Sequence, residues 1–528
     1  MPVSESLRRP LARLAAVAML VLPCAMASAQ DLRLGTRLQL PTMDPHFFGT
    51  FATASSPAVI WERLVDLDEQ GRPVAALAAG WRVIDDLTWE FALRRGVTFH
   101  DGTPFTAADV AYSFARPGRL ERSPSSYSRY LAGTTLEVVD DHTVRVRTAA
   151  PAPFLLHDLA YIFIAPSRHA DAATTQAFEE GRFVIGTGPY RFVSWARNER
   201  LDVARFDGHR DGPAPWARVT ERAIPRDASR VAALLANDLD VIGTLPASDM
   251  ATLRANPALR VFAVPSTTTL AIALDSVRDT SPQVTAKDGS ALPRNPLRDR
   301  RVRQALSLAI NRGAIADRVM AGTAVPAGQI TLPGLEGAHP RLPPDPYDPA
   351  RAQALLREAG WPDGFRIVLN ADAGSFLSEA ATAQAIAQFW TRIGLAVDVA
   401  TVPAQVYLAQ AGRQEYSAFL TAQGGINAAV PLRSLIASVD PARGLGSTNR
   451  SRYSNPAFDA VLRRAFAAMD PTERQGLYEE AADIAAEDVA VLPVFHASNT
   501  AASRSGIEVR LWPDRRFNAL LVRPAPRP

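Results

Sequence analysis

The stretch FHDGTPFTAADVAYSF, residues 99–114, sets His100 beside Asp101 and follows them with Thr103, Thr106, Asp109 and Ser113. An imidazole, two carboxylates and three hydroxyls so close together could carry proton transfer or activate a nucleophile. The spacing argues for architecture instead. Asp101-Gly102-Thr103-Pro104 has the composition of a turn. Thr106 and Asp109 stand at capping-box spacing, and Phe105 and Val110 bracket them as a hydrophobic staple. Val110, Ala111 and Phe114 continue as the apolar face of a helix. Each polar residue has a local structural role, so the cluster is read as a turn feeding a helix.

Other routes to catalysis find little support. There is no GxSxG, and Ser375 in DAGSF lacks that context. The one cysteine, Cys24, lies in the leader described below. The eight histidines, at 46, 100, 142, 157, 169, 209, 339 and 496, form no pair at helical ligand spacing and no HExxH. No cofactor and no metal site are expected. Nickel carried by a small chelator stays open as a cargo, because the chelator could bring its own ligands. A secreted hydrolase is the enzymatic alternative, and it lacks a nucleophile with a base.

Residues 1–29 have the form of a secretory signal peptide: a basic start with Arg8, Arg9 and Arg13, an apolar run at 14–22, and Ala27-Ser28-Ala29 for cleavage. That run is shorter than the roughly 20 residues that span a bilayer. Pro23 before Cys24 argues against lipidation. The chain is therefore expected to be exported, periplasmic and soluble, with no thiol left after cleavage after Ala29. Its formal charge of +3 falls to +1 without the leader, and Lys287 is its only lysine. No basic run or stripe with interleaved aromatics appears, which excludes nucleic acid as a partner.

The elements that must position any site alternate in type. Strands are expected at TWEFAL (88–93), with Trp89, Phe91 and Leu93 on one face, and at TVRVR (143–147). GTGPYRFVSW turns into a strand with Tyr190, Phe192 and Ser194 on one side, and Asp227 is expected to cap a helix leading to the strand DVIG at 240–243. A strand runs on to Leu274, a polar loop covers 276–297, and one long amphipathic helix is expected over 298–320. Asp348-Pro349 opens another helix; helix 378–393 and strands 395–401 and 416–422 follow; Asn455-Pro456 and Pro471 open two more helices. The fold class is α/β, or mixed α+β, with at least two lobes.

FHDGTPFTAADVAYSF also resembles a signature of the extracellular solute-binding family 5, which serves ABC importers for dipeptides, oligopeptides, nickel and opines. GTGPYRFVSW, RDASRVAALLANDLDVI, DRRVRQALSLAINRGAI, YDPARAQALLREAGWPDGF and RYSNPAFDAVL resemble further pieces of that family in the same order. The resemblance covers 31–528. It implies a two-lobed periplasmic binding protein fold with a hinge and three domains. Domain I is discontinuous, at 31–58, 180–270 and 500–528; domain II is 59–179 and domain III is 271–499. It implies a monomer that closes on a small peptide-like or other polar solute and docks on an ABC permease in the inner membrane. Service to a chemotaxis or sensor receptor is the alternative output.

Matched to the family, a loop at Gly49, Thr50 and Phe51 lies along the ligand, opposite the strand LTAQGG with Thr421, Ala422, Gln423 and Gly424. Peptide binders carry an Asp on that strand for the ligand's α-ammonium; the matching position here is Gly424, with neutral Gln423 and Asn427 beside it. Free-amine recognition is therefore expected to be lost, or moved to another acid. Arg433 could reach a carboxylate, or simply stand on the surface of the next helix. Tyr127 and Tyr130 could present rings to the cleft.

Overall fold

The computed structural model describes residues 31–526 except 50, 122, 124, 125, 171 and 375–377, and gives the backbone alone at 51 and 52. The signal peptide, Thr50, Ser375 and the side chain of Phe51 therefore lie outside the described residues. Two lobes share one twelve-stranded sheet. On one side of it, strand Asp31–Thr36 runs parallel to Arg218–Ala223 and to Val241–Gly243, and the antiparallel strands Arg200–Arg205 and Tyr190–Ala196 extend the edge. On the other side, Arg366–Asp372 runs parallel to both Ala396–Val402 and Ala418–Gly424.

Two long antiparallel strands, Leu259–Leu274 and Leu492–Arg504, belong to both halves. The first half of Leu259–Leu274 lies in the first lobe and its second half pairs with Ala418–Gly424. Their register shifts between Pro265 and Thr269. Proline offers no N–H to a ladder, and the Thr267 amide leaves it to donate to Pro513 O at 2.9 Å. From Ser266 to Leu274 every residue is buried, because helices cover both faces of the second lobe. Leu270, Ile272 and Leu274 pack with Leu306, Ile386 and Trp390 in its main core.

The first lobe carries a second sheet of four antiparallel strands, Ala78–Asp85, Thr88–Leu93, Thr143–Thr148 and Thr134–Asp140. The expected alternation in TWEFAL holds: Trp89, Phe91 and Leu93 are buried together with Val144 and Val146. Helix Ala107–Arg119 starts as its sequence implies. The Thr106 amide donates to Asp109 Oδ2 at 2.8 Å, and Phe105 and Val110 are both buried.

Two helical expectations need correction. The stretch 298–320 is not one helix: Arg300–Leu308 stops, and a short turn Arg312–Ala314 passes into the π-type turn Ile315–Val319. Asn311 caps the second piece by accepting from the Ala314 amide at 2.9 Å. Buried Arg312 donates to Pro493 O and to Ser307 O and Oγ, which fixes the break. Asp227 is not the cap of its helix either. It is the first residue of Asp227–Leu235, and it accepts from buried Arg230 at 2.7 Å. Among the described residues, no helix is long and apolar enough to cross a membrane.

Candidate functional site

The groups of the 99–114 stretch are spent on backbone. His100 Nε2 lies 2.9 Å from Gly188 O, and its Nδ1 accepts from the Gly186 amide at 3.3 Å. Asp109 Oδ1 accepts from the amide and hydroxyl of Ser167. Ser113 Oγ accepts from the Ala165 amide at 2.9 Å. Asp101 pairs with Arg168. The stretch ties the helix to the segment beside it, and none of these groups is left poised for a reaction.

The lobes meet elsewhere. His157, on the short helix Leu155–Leu159 of the first lobe, has Nε2 3.1 Å from Gly71 O and 3.3 Å from Glu336 Oε2 of the second. Glu336 in turn accepts from Arg474 at 2.9 Å. Burial lowers the His157 pKa against the pull of Glu336, so the ring is neutral at pH 7. Gly71 comes so near the second lobe that a Cβ on it would stand 2.5 Å from Ile426 O. The described conformation is thus one in which the lobes touch.

Beside this contact lies a small cavity of about 50 Å³. Its wall is drawn from residues 54–55, 63, 67, 160–161 and 514–516 of the first lobe, with Ile426 alone from the second. The charged lining is Arg63, Asp514, Arg515 and Arg516. Arg63 is only 7 % exposed. It donates to Ala54 O at 2.9 Å, lies 4.2 Å over the Phe163 ring and reaches Asp66 only at 3.6 Å; its Nε has no partner. Arg516 bonds Asp514 at 2.5 Å and Asp66 at 3.2 Å and stacks 4.4 Å over Trp512. Burial alone would push the Asp66 carboxyl up, but Arg63 and Arg516 outweigh it and hold it below the ordinary carboxylate range. Burial, and then the nearby Arg37, lower the pKa of Arg515.

None of the described residues singled out from sequence is in the wall of this cavity. Gly49 is half-buried. Tyr127 is buried with its hydroxyl 3.4 Å from Thr53 Oγ1. Tyr130 stacks flat on the cavity residue Tyr161, with ring centroids 4.4 Å apart. Thr421 is buried opposite Ala271, and Ala422 is exposed opposite Leu270. Gln423 is held by Thr448 at 3.0 Å and Ser434 at 3.3 Å. Gly424 ends its strand opposite Thr268, and a Cβ there would meet only ordinary contacts at 3.7 Å and beyond. Asn427 is 2 % exposed and its Oδ1 has no partner. Arg433 is exposed on the next turn, and its charge acts across the lobes on Asp158, whose carboxyl burial pushes up to about 7. Sequence reasoning missed Arg63, Tyr161 and the WPDRR turn, since residues 63 and 516 meet only in the folded chain.

A family model for bacterial extracellular solute-binding proteins, family 5, matches residues 72–441. The chain belongs to that family. This family-5 protein is 28% identical over 474 residues to the glutathione-binding protein GsiB of Pectobacterium atrosepticum, covering 86% of each chain. It is 28% identical over 490 residues to the Escherichia coli GsiB, covering 90% of each. Among solved structures, HbpA2 from Haemophilus parasuis superposes with a TM-score of 0.79 at 23% identity, covering 94% of this chain and 100% of that one. The two-lobed periplasmic binding protein fold expected from the sequence is thereby shown.

Proposed function

We propose that this solute-binding protein captures a small peptide-like or other polar solute between its lobes and delivers it to an ABC permease in the inner membrane, performing no chemistry of its own. The observation that carries this reading is the contact of the two lobes at His157–Glu336 and Gly71–Ile426, beside a cavity on which Ile426 of the second lobe closes. Relatives named as glutathione-binding support a peptide-like class. The lobes divide as domain I at 31–58, 180–270 and 500–528, domain II at 59–179 and domain III at 271–499. The mature protein starts after Ala29 and works in the periplasm as a monomer, with no nucleic-acid partner.

Closure is a shift between populations, so a true solute must bind the closed form better than the open one. Native mass spectrometry of the protein purified from its own host's periplasm, before and after mild denaturation, tests the reading. Release of one or a few small solutes, with a smaller radius of gyration when they are restored, is expected. A protein that retains no small solute from host extract, or that hydrolyses what it binds, would sink it.

A further inference from the structure

Strands Val65–Leu67 and Pro73–Ala75 of the first lobe are antiparallel partners joined by a short turn. The turn is bonded from within. The Asp68 amide donates to Arg72 O and the Gly71 amide to Asp68 O, each at 2.9 Å. Asp68 Oδ1 accepts from the amides of Gln70 and Arg72 at 2.9 Å. Turn tips ordinarily face water, and Gln70 and Arg72 do; Gly71 between them is buried. The second lobe lies against it. A Cβ on Gly71 would stand 2.5 Å from Ile426 O and 3.8 Å from Ile426 Cβ.

Two features of Gly71 favour glycine, and they differ in what else they admit. Its φ of 75° is left-handed. Asparagine tolerates that region, and in this chain Asn198 and Asn237 hold φ of 59° and 66°. The approach to Ile426 admits no side chain at all. Ordinary contact of a Cβ begins at 3.4 Å, so any other residue would push Ile426 back by about 1 Å. Ile426 is also the residue through which the second lobe reaches the wall of the interlobe cavity, and Gly71 is not in that wall.

Resting on the solute-binding reading above, we propose that Gly71 is a positioning residue for solute capture: the turn it completes is the stop against which the second lobe shuts, and its missing side chain sets how far Ile426 comes down on the cavity. A side chain at this position acts as a wedge. It weakens capture of every solute alike, because it touches none of them.

The test uses full-length mature protein, with the small-solute fraction of its host's periplasm, and glutathione beside it, as probes. In the parent, hydrogen exchange at the amides of residues 69–72 is expected to slow when a probe is bound. Spin labels at Val83→Cys and Val406→Cys, both exposed and one on each lobe, report the interlobe distance. With probe present, Gly71→Asn is expected to keep the labels further apart than in the parent. It should weaken binding about tenfold or more, through faster release, and leave the melting curve of the solute-free protein in place. A merely strained turn would do the reverse, lowering the melting temperature with the loaded distance unchanged. Gly71→Asn that closes to the parent's distance and binds as tightly would overturn the proposal. Exchange at 69–72 that does not slow as the parent's labels draw together would overturn it too, with no variant needed. If neither probe moves the labels in the parent, the solute-binding reading itself fails, which is a different result from a variant that closes as well as the parent.

Discussion

Phe154 of the first lobe stands edge-on to Phe466 of the second, with ring centroids 6.1 Å apart and planes at 87°. Tyr478 lies 6.2 Å away on the same side, and the Arg474 guanidinium sits 5.5 Å over the Phe154 ring. One aromatic side chain thus plugs into the partner lobe a few residues from the His157–Glu336 contact. Such pairs add to the hydrophobic term of the area they bury. Some of the closing free energy is therefore independent of the solute.

Phe154→Ala should remove about 2 kcal/mol from closure, since the ring is half-buried rather than in a core. Solute affinity is expected to fall by about tenfold or more while the melting temperature of the solute-free protein hardly changes. Titration calorimetry and solution scattering on the same samples check this. An unchanged affinity would mean that Phe154 does not contribute to closure.

Gly424→Asp should move the protein towards free-amine peptides. The position has room for a side chain, since a Cβ there would stand 3.7 Å from Thr268 Oγ1. A charge-assisted hydrogen bond is worth about 1.5–3 kcal/mol. The ratio of affinities for a free-amine tripeptide and its acetylated form should rise about tenfold or more, read by competition binding.

Glu221 carries a sharp pH expectation. It is buried on strand Arg218–Ala223, accepts from Ser56 Oγ at 2.5 Å, and burial pushes it up to about 7. Between its ordinary value and 7 the folded protein holds a proton that the unfolded chain releases. Its contribution to stability is therefore full at low pH and is lost as pH rises through that window. Glu221→Gln should melt like the parent at pH 4 and above it at pH 8, by up to about 3 kcal/mol in stability. Melting curves across that range decide it, and a parallel pair of profiles would refute it.

Arg303, 4 % exposed, donates to the carbonyls of Leu297, Arg298, Asp488 and Val489 and to the Asp488 carboxylate. It ties the start of helix Arg300–Leu308 to the end of helix Pro471–Glu487. Arg303→Ala leaves these acceptors buried and unpaired, and should cost about 3–5 kcal/mol. Denaturant titration should show the midpoint falling accordingly.

What the sequence disclosed was local. The Thr106–Asp109 cap, the alternating faces of 88–93 and the Asn455 cap each depend on residues within a turn of one another, where spacing and side-chain chemistry suffice. The break at Asn311 was hidden because its cause is distant: Arg312 is held by Pro493, a residue 181 positions away. The cavity was hidden for the same reason, more strongly. Arg516 meets Asp66 across 450 positions, and nothing in the pattern of either segment announces the other. Gly424 could be weighed only through family resemblance, while the arginines that give the cavity its charge come from segments with no motif to draw the eye.

The first lobe is closed by the last part of the chain. Trp216 Nε1 donates to Val522 O at 2.8 Å, Asn518 Nδ2 donates to Ser55 O at 2.7 Å, and Ser55 Oγ donates to Phe517 O at 3.1 Å. The lobe begun at residue 31 is therefore unfinished until residue 522 has been made. At roughly 5–20 residues per second of synthesis, its early strands wait on the order of tens of seconds for the segment that completes them. The second lobe, whose main core draws on residues 270–497, has all its parts sooner and is built into the interior of a domain that started first and ends last.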